Sequence, residues 1–282
     1  MSSRQDLQHF ILTRFNIRLW QKDKKGNTVR TNEWLSDRFL LFERYCLPSM
    51  AAQTNKSFIW IVLFDATTPG GFKSRIKGYQ VQCPQLIPIY VTSENGRYFA
   101  QIFKAEVSKR LNANRVITTY LDNDDALRTS FVEDLQNRAI ALPDETFISY
   151  TDGYQYFTDY GYLMHIHYPR NHFVSVVEKG DASLKTIYGY GSHYFIEKIP
   201  GAKIEYVPEP LMWCEVIHEK NMGNDAYFLM ASMVNDIDLL RRDFSLDEDV
   251  KSGIWLYLFR FLPRYIVTLV RRTRYFFFGR KW

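Results

Sequence analysis

Cysteine is scarce: the 282-residue chain has three, Cys46, Cys83 and Cys214. An odd, widely spaced set makes no disulfide framework, and no Cys-x-x-Cys pair suggests zinc. No apolar stretch follows the opening Met-Ser-Ser-Arg-Gln-Asp, so no signal peptide is expected and a reducing cytoplasm is favoured. Acid is missing from one region: residues 253–282 hold seven Lys or Arg and no Asp or Glu. The whole chain carries +5, so the remainder is close to neutral or slightly acidic. A neutral body with a basic tail argues against nucleic-acid binding, which places charge on the body. Internal repeats and low-complexity linkers are also absent, which leaves one large α/β domain, or one domain with an appendage.

Aromatic residues are abundant instead, at 16%, with 19 Tyr and 21 Phe. They suit either a sugar-stacking cleft or a Phe-rich core. The first half alternates strand-like and helix-like patterns. Strands are expected at His9–Ile17, Phe58–Phe64, Leu86–Val91 and Arg115–Leu121, with helices at Glu33–Cys46 and Gly96–Leu111. Trp34, Leu35, Phe39, Phe42 and Cys46 share a helical face, and Pro48 ends that helix or begins the next. The run from Phe58 to Phe64 is apolar throughout, as in a strand buried on both faces. It ends at Asp65, and Ala66-Thr-Thr-Pro-Gly-Gly71 reads as loop. Strands separated by helices imply βαβ units and a mostly parallel sheet.

Closer-spaced strands follow at Phe147–Tyr150, Tyr154–Phe157, Tyr162–Tyr168 and Phe173–Val177, suggesting a mixed or antiparallel extension. A short strand is expected within Pro210–Ile217, and a helix over Ala226–Leu240. The domain is expected to span 1–245, with a basic aromatic tail over 246–282.

The chemistry concentrates in Val116-Ile-Thr-Thr-Tyr-Leu-Asp122-Asn-Asp124-Asp125, where an apolar strand runs into three carboxylates. Acids packed this closely are either solvated or neutralised by a cation. The carboxyl end of a parallel strand is where open α/β sheets bind ligands. A hard divalent cation, Mg²⁺ or Mn²⁺, suits such a cluster, with diphosphate oxygens completing its shell. The competing reading is a solvated acidic turn capping a helix that starts near Thr129.

Three linked segments resemble family 2-like GT-A glycosyltransferases: Cys46-Leu-Pro-Ser-Met-Ala-Ala-Gln-Thr54, then Phe58 to Asp65 with its Thr67-Thr68 turn, then Gly96 through Asp125. A finer resemblance, to bacterial rhamnosyltransferases, rests on His9-Phe-Ile-Leu-Thr-Arg-Phe-Asn16, Leu40 to Ser49, Ile61 to Asp65, Thr118 to Asp125 and Trp213 to Asn221. The resemblance implies a GT-A (Rossmann-like) fold and transfer from a nucleotide-diphosphate sugar, dTDP- or UDP-linked, to a glycan or lipid-linked acceptor, with inversion. It places Arg14 and Asn16 at the nucleotide, Asp65 on the pyrimidine base, Asp122 on the ribose or sugar, Asp124 on the metal, and Asp125 in either role. A late histidine, His218, would complete the metal shell, steadied by Asn221; alternatively it is a half-buried histidine with one hydrogen bond.

An inverting transfer needs a base near the acceptor hydroxyl, and Asp152 and Glu215 are equal candidates. The late Glu-Asp pair and Gln-x-x-Arg-Trp motif of processive family 2 enzymes are absent, which argues against a processive synthase. His165 and His167 share a strand face, either as a metal pair or as a polar surface. Tyr154, Tyr156, Tyr160 and Tyr162 form an acceptor rim or ordinary cross-strand pairs.

Arg260, Pro263 and Arg264 interrupt the greasy tail, so it is too broken to span a bilayer. It is read as a helix on the inner face of the plasma membrane, or alternatively as one packed on the body or in a dimer. Two other functions compete. A sugar nucleotidyltransferase would want a Gly-rich phosphate loop after Asn16, where Ile-Arg-Leu-Trp-Gln-Lys-Asp stands. A membrane-associated binding protein would need no acid cluster.

Overall fold

The computed structural model describes residues 6–19, 31–218 and 231–278. A seven-stranded sheet organises the first part of the chain. β1 (Leu7–Arg14), β2 (Ile59–Asp65), β3 (Leu86–Val91) and β4 (Arg115–Tyr120) run parallel, with β1 between β4 and β2. β2 is buried along nearly its whole length, as its unbroken apolar run requires. β5 (Ala126–Leu127) leaves for a second sheet. β6 (Thr146–Tyr150) returns to the first, which has the order β10-β6-β9-β4-β1-β2-β3. β9 (Val174–Lys179) is antiparallel to both neighbours, and β10 (Lys203–Val207) is parallel to β6.

The second sheet holds β7 (Asp152–Phe157), β8 (Tyr162–His167), β11 (Trp213–Ile217) and β12 (Ser232–Val234), in the order β12-β8-β7-β11-β5. The mixed, mostly parallel α/β architecture is the one expected.

α1 (Asn32–Leu41) begins at Thr31, whose hydroxyl accepts from the Trp34 amide at 3.2 Å. It buries Leu35 and Phe39, continues through a π-helical turn at Phe42–Cys46, and passes into α2 (Leu47–Ala51), with Pro48 in the first turn. The expected loop after Asp65 ends sooner than its glycines suggested. Gly70 and Gly71 open α3 (Gly70–Gln82), which buries little beyond Ile76 and Tyr79 and so carries a faint helical pattern. α4 (Phe99–Ser108) packs Phe103 and Val107 on the sheet, and α5 (Phe131–Ala141) follows the acid loop.

One expectation is corrected. The helix placed over Ala226–Leu240 is, within its described part, the edge strand β12 followed by α6 (Leu239–Phe244). Met233 pairs opposite Met164, so sheet pairing outweighs helical periodicity there. Residues 226–230 lie outside the described residues. Leu246 and Val250 are buried beside Leu240 and Phe244. The chain then enters α7 (Ile254–Leu256), a π-helical stretch and α8 (Leu262–Phe278).

Polar groups inside the main sheet are paired side to side. Trp60 Nε1 donates to Thr13 Oγ1 at 2.9 Å, His9 Nε2 lies 2.8 Å from Thr119 Oγ1, and Thr119 Oγ1 lies 2.7 Å from Ser175 Oγ. Thr118 Oγ1 accepts from the Ile187 amide at 2.8 Å, so both threonines of the buried strand that feeds the acid loop are paired.

Candidate active site

The carboxyl edge of the parallel sheet gathers the ends of β1, β2 and β4. Asn123 fastens the acid loop to β1, donating from Nδ2 to the Arg14 and Phe15 carbonyls at 2.9 and 2.8 Å. The acids on either side of Asn123 then point apart. Asp122 is half-buried, accepts from Tyr120 Oη at 2.9 Å and lies 3.9 Å from the Arg14 guanidinium. That guanidinium also donates to Tyr120 Oη at 2.5 Å and sits among the rings of Phe99, Tyr120 and Tyr188 at 4.9, 5.4 and 5.2 Å.

Asp124 is buried, with one oxygen facing Arg38 Nη1 at 2.5 Å and His218 Nε2 at 2.9 Å. Burial opposes its charge, but Arg38 and His218 outweigh it and hold the carboxyl below the usual range. Asp125 is fully buried. Its Oδ1 accepts from the Val216 amide at 2.8 Å, and its Oδ2 meets His172 Nε2 at 2.8 Å. Burial pushes the Asp125 carboxyl up, whereas Asp125 raises His172 against the effect of that residue's own burial.

Ligand atoms of Asp122, Asp125 and His172 all lie within 4.8 Å of one another, the one such metal-capable group among the described residues. Two carboxylates and an imidazole fit a divalent cation. Binding one there would exchange the His172–Asp125 contact for metal bonds and free the imidazole of its proton.

The sequence profile of a family described as putative rhamnosyl transferase matches residues 10–228. The chain belongs to the putative rhamnosyl transferase family. That family is described by sugar transfer. No curated protein matches it in sequence. Among solved structures, S. aureus TarS aligns over 74% of this chain and 37% of its own, at 8% identity and TM-score 0.38. TarS 1-349 in complex with UDP aligns over 74% and 60%, at 9% identity and TM-score 0.38. A putative nucleotide-diphospho-sugar transferase from Desulfovibrio desulfuricans G20 aligns over 75% and 80%, at 10% identity and TM-score 0.36. This chain thus spans little more than a third of TarS.

In this putative rhamnosyl transferase the remaining candidates are distributed as follows. Asp65 is buried at the end of β2. Its Oδ1 accepts from the Thr67 amide and hydroxyl at 2.7 and 2.6 Å, and its Oδ2 from Ser93 at 3.0 Å. Burial opposes its charge, but these bonds prevail and keep the carboxyl below its ordinary range. Asn16 braces the same turn, accepting from the Asp65 amide at 2.9 Å and donating to Thr68 Oγ1 at 3.0 Å.

The two candidate bases separate cleanly. Glu215 is buried on the face of the second sheet that carries Gln155, whose Nε2 donates to it at 2.5 Å. Burial pushes its carboxyl up to about 7, and charges on His172, Asp125 and Asp122 act on it. Asp152 lies on the opposite face by strand alternation. There His165 Nε2 and His167 Nδ1 approach its two oxygens at 3.2 and 2.9 Å. The His165–His167 pair therefore faces Asp152, away from the acid cluster. Tyr154 lies on that face too, in contact with His165 and Phe244, whereas Tyr160 and Tyr162 stack on each other. Asn221 lies outside the described residues.

Three residues of this edge carried no sequence signal. Arg38 is the one cation of α1, 86 residues from Asp124. His172 sits in a turn 47 residues from Asp125. His193 follows it, its ring 6.0 Å from that of His172.

Proposed function

We propose that the protein moves a sugar, rhamnose by the family's description, from a dTDP- or UDP-linked donor to a glycan or lipid-linked acceptor with inversion at the anomeric carbon. The observation that carries this reading is the cluster of Asp122, Asp125 and His172 at the carboxyl edge of a parallel sheet. These residues would hold Mg²⁺ or Mn²⁺. Bound there, the ion would supply positive charge against the departing diphosphate.

The chain's own groups do the rest. Asp65, with Oδ1 held by Thr67, would offer the pyrimidine the remaining lone pair of Oδ2, which also accepts from Ser93, and Asn16 keeps that turn in place. Arg14, ringed by aromatics, would meet the diphosphate or ribose together with Asp122. Asp124 with His218, the metal pair expected from sequence, stands beside the cluster and would orient the loop or supply a further ligand. Glu215 would take the acceptor proton, because it shares the side of the second sheet that His172 and Asp125 influence, whereas Asp152 faces away.

Calorimetric titration with dTDP- and UDP-sugars, with and without Mn²⁺, tests the reading. Metal-dependent binding is expected, lost in Asp122→Ala and in His172→Ala. Retention in those variants with loss in Asp124→Ala would move the cation to Asp124 and His218. A folded protein that binds no sugar nucleotide would overturn the enzyme reading in favour of a binding protein.

A further inference from the structure

Far from the sheet edge, the helix that begins at Ile254 packs Leu256, Phe261 and Tyr265 against the core. Two arginines flank that contact and reach tyrosines of the body. The Arg260 guanidinium stands 4.2 Å over the Tyr160 ring, and Arg264 donates to Tyr162 Oη at 3.0 Å. Between them Phe261 is only 4% exposed and belongs to the main core. The helix is therefore docked on the body, not adrift from it.

Its outer side is apolar. Trp255 and Phe259 are 71% and 64% exposed and stack on each other at 5.5 Å, without cover from the body. Ile254, Leu258, Ile266 and Val270 are exposed as well. Surface helices normally turn apolar groups inward and charges outward. A contiguous exposed apolar face marks a surface that something else covers.

Charge selects the cover. Besides Arg260 and Arg264, residues 253–282 carry five Lys or Arg and no acid. A second copy would set these cations against their own kind, whereas an anionic lipid surface complements them. Trp and Phe beside Arg suit the headgroup zone, and no helix among the described residues is long and apolar enough to cross a membrane. We propose that this helix lies in the plane of an anionic membrane surface, with the side of Trp255, Phe259 and Ile266 in the lipid and Arg260 and Arg264 clamping it to the protein.

The test is co-sedimentation of the full-length protein with vesicles of phosphatidylcholine alone or with about a third phosphatidylglycerol. Binding to the anionic vesicles is expected, weakening as salt rises. The double variant Trp255→Ser, Phe259→Ser should bind them at least about tenfold more weakly. Both side chains are exposed, so its melting temperature should match the unsubstituted protein and exclude misfolding. Three results would each overturn the proposal: no binding, equal binding to neutral vesicles, or undiminished binding by the double variant. Light scattering that finds a dimer, converted to monomer by the same substitutions, would overturn it too and give the face to a second copy.

Discussion

Asp124 and Asp125 are chain neighbours, yet their charges are answered from different parts of the fold, one by Arg38 and His218 and the other by His172. The crowded acids thus find part of their neutralising charge in side chains. Arg38→Met should cost about 3–5 kcal/mol, the range for orphaning one partner of a buried pair. Adding Asp124→Asn should recover much of it, and urea denaturation of the four-member cycle measures that coupling. A second residue-scale effect concerns His9. Burial lowers its pKa from 6.5 to about 3, so below pH 6.5 the unfolded chain takes a proton that the folded chain refuses. Stability therefore falls as pH drops through that window. At pH 5 the loss relative to pH 8 is about 2 kcal/mol. His9→Gln should remove that part of the pH dependence in denaturation curves recorded at the two values.

At the scale of elements, the Ser49–Gln53 segment shows what a local motif does in three dimensions. Gln53 Nε2 donates to the Ser49 and Arg128 carbonyls at 3.0 and 2.8 Å, and its Oε1 accepts from the Val132 amide at 3.0 Å. It pins the end of α2 to the start of α5, on either side of the acid loop. Gln53→Ala should destabilise the protein by about 1–3 kcal/mol, since buried groups lose partners, and thermal melts would record it. β7 depends on a glycine for a similar structural reason. A Cβ on Gly153 would lie 2.3 Å from the Trp213 indole, so Gly153→Ala should cost about 1–3 kcal/mol or more by overpacking. The central strands and α1 were legible because their apolar patterns are local and strong. α3 was not, as it buries few side chains behind two glycines, and β12 was not, because an edge strand is specified by its partner.

At the scale of the molecule, the two sheets set apart residues that the sequence offers as alternatives. Asp152 and Glu215 were equal candidates for the base. Strand alternation and the β7–β11 pairing put them on opposite faces, with Glu215 on the side of the acid cluster. Glu215→Gln should then lower kcat by about a hundredfold or more, with donor affinity little changed. Asp152→Asn should leave kcat near its starting value. Steady-state kinetics on the two variants distinguishes the faces, and an equal loss in both would contradict the assignment.

The sequence by itself determined the α/β alternation, the buried strands, the acid loop at a strand end and the one-sided charge of the tail. Each of these is written in residues adjacent in the chain or spaced at the period of one element. Tertiary structure alone decided which cation answers which acid, that His172 stands with Asp122 and Asp125, which face Glu215 occupies, and that Arg260 and Arg264 reach tyrosines of the body. Those choices join residues 47 to 102 positions apart. Spacing along a chain carries no information about such pairs until the sheets have set their order and the side chains have been driven to one face or the other.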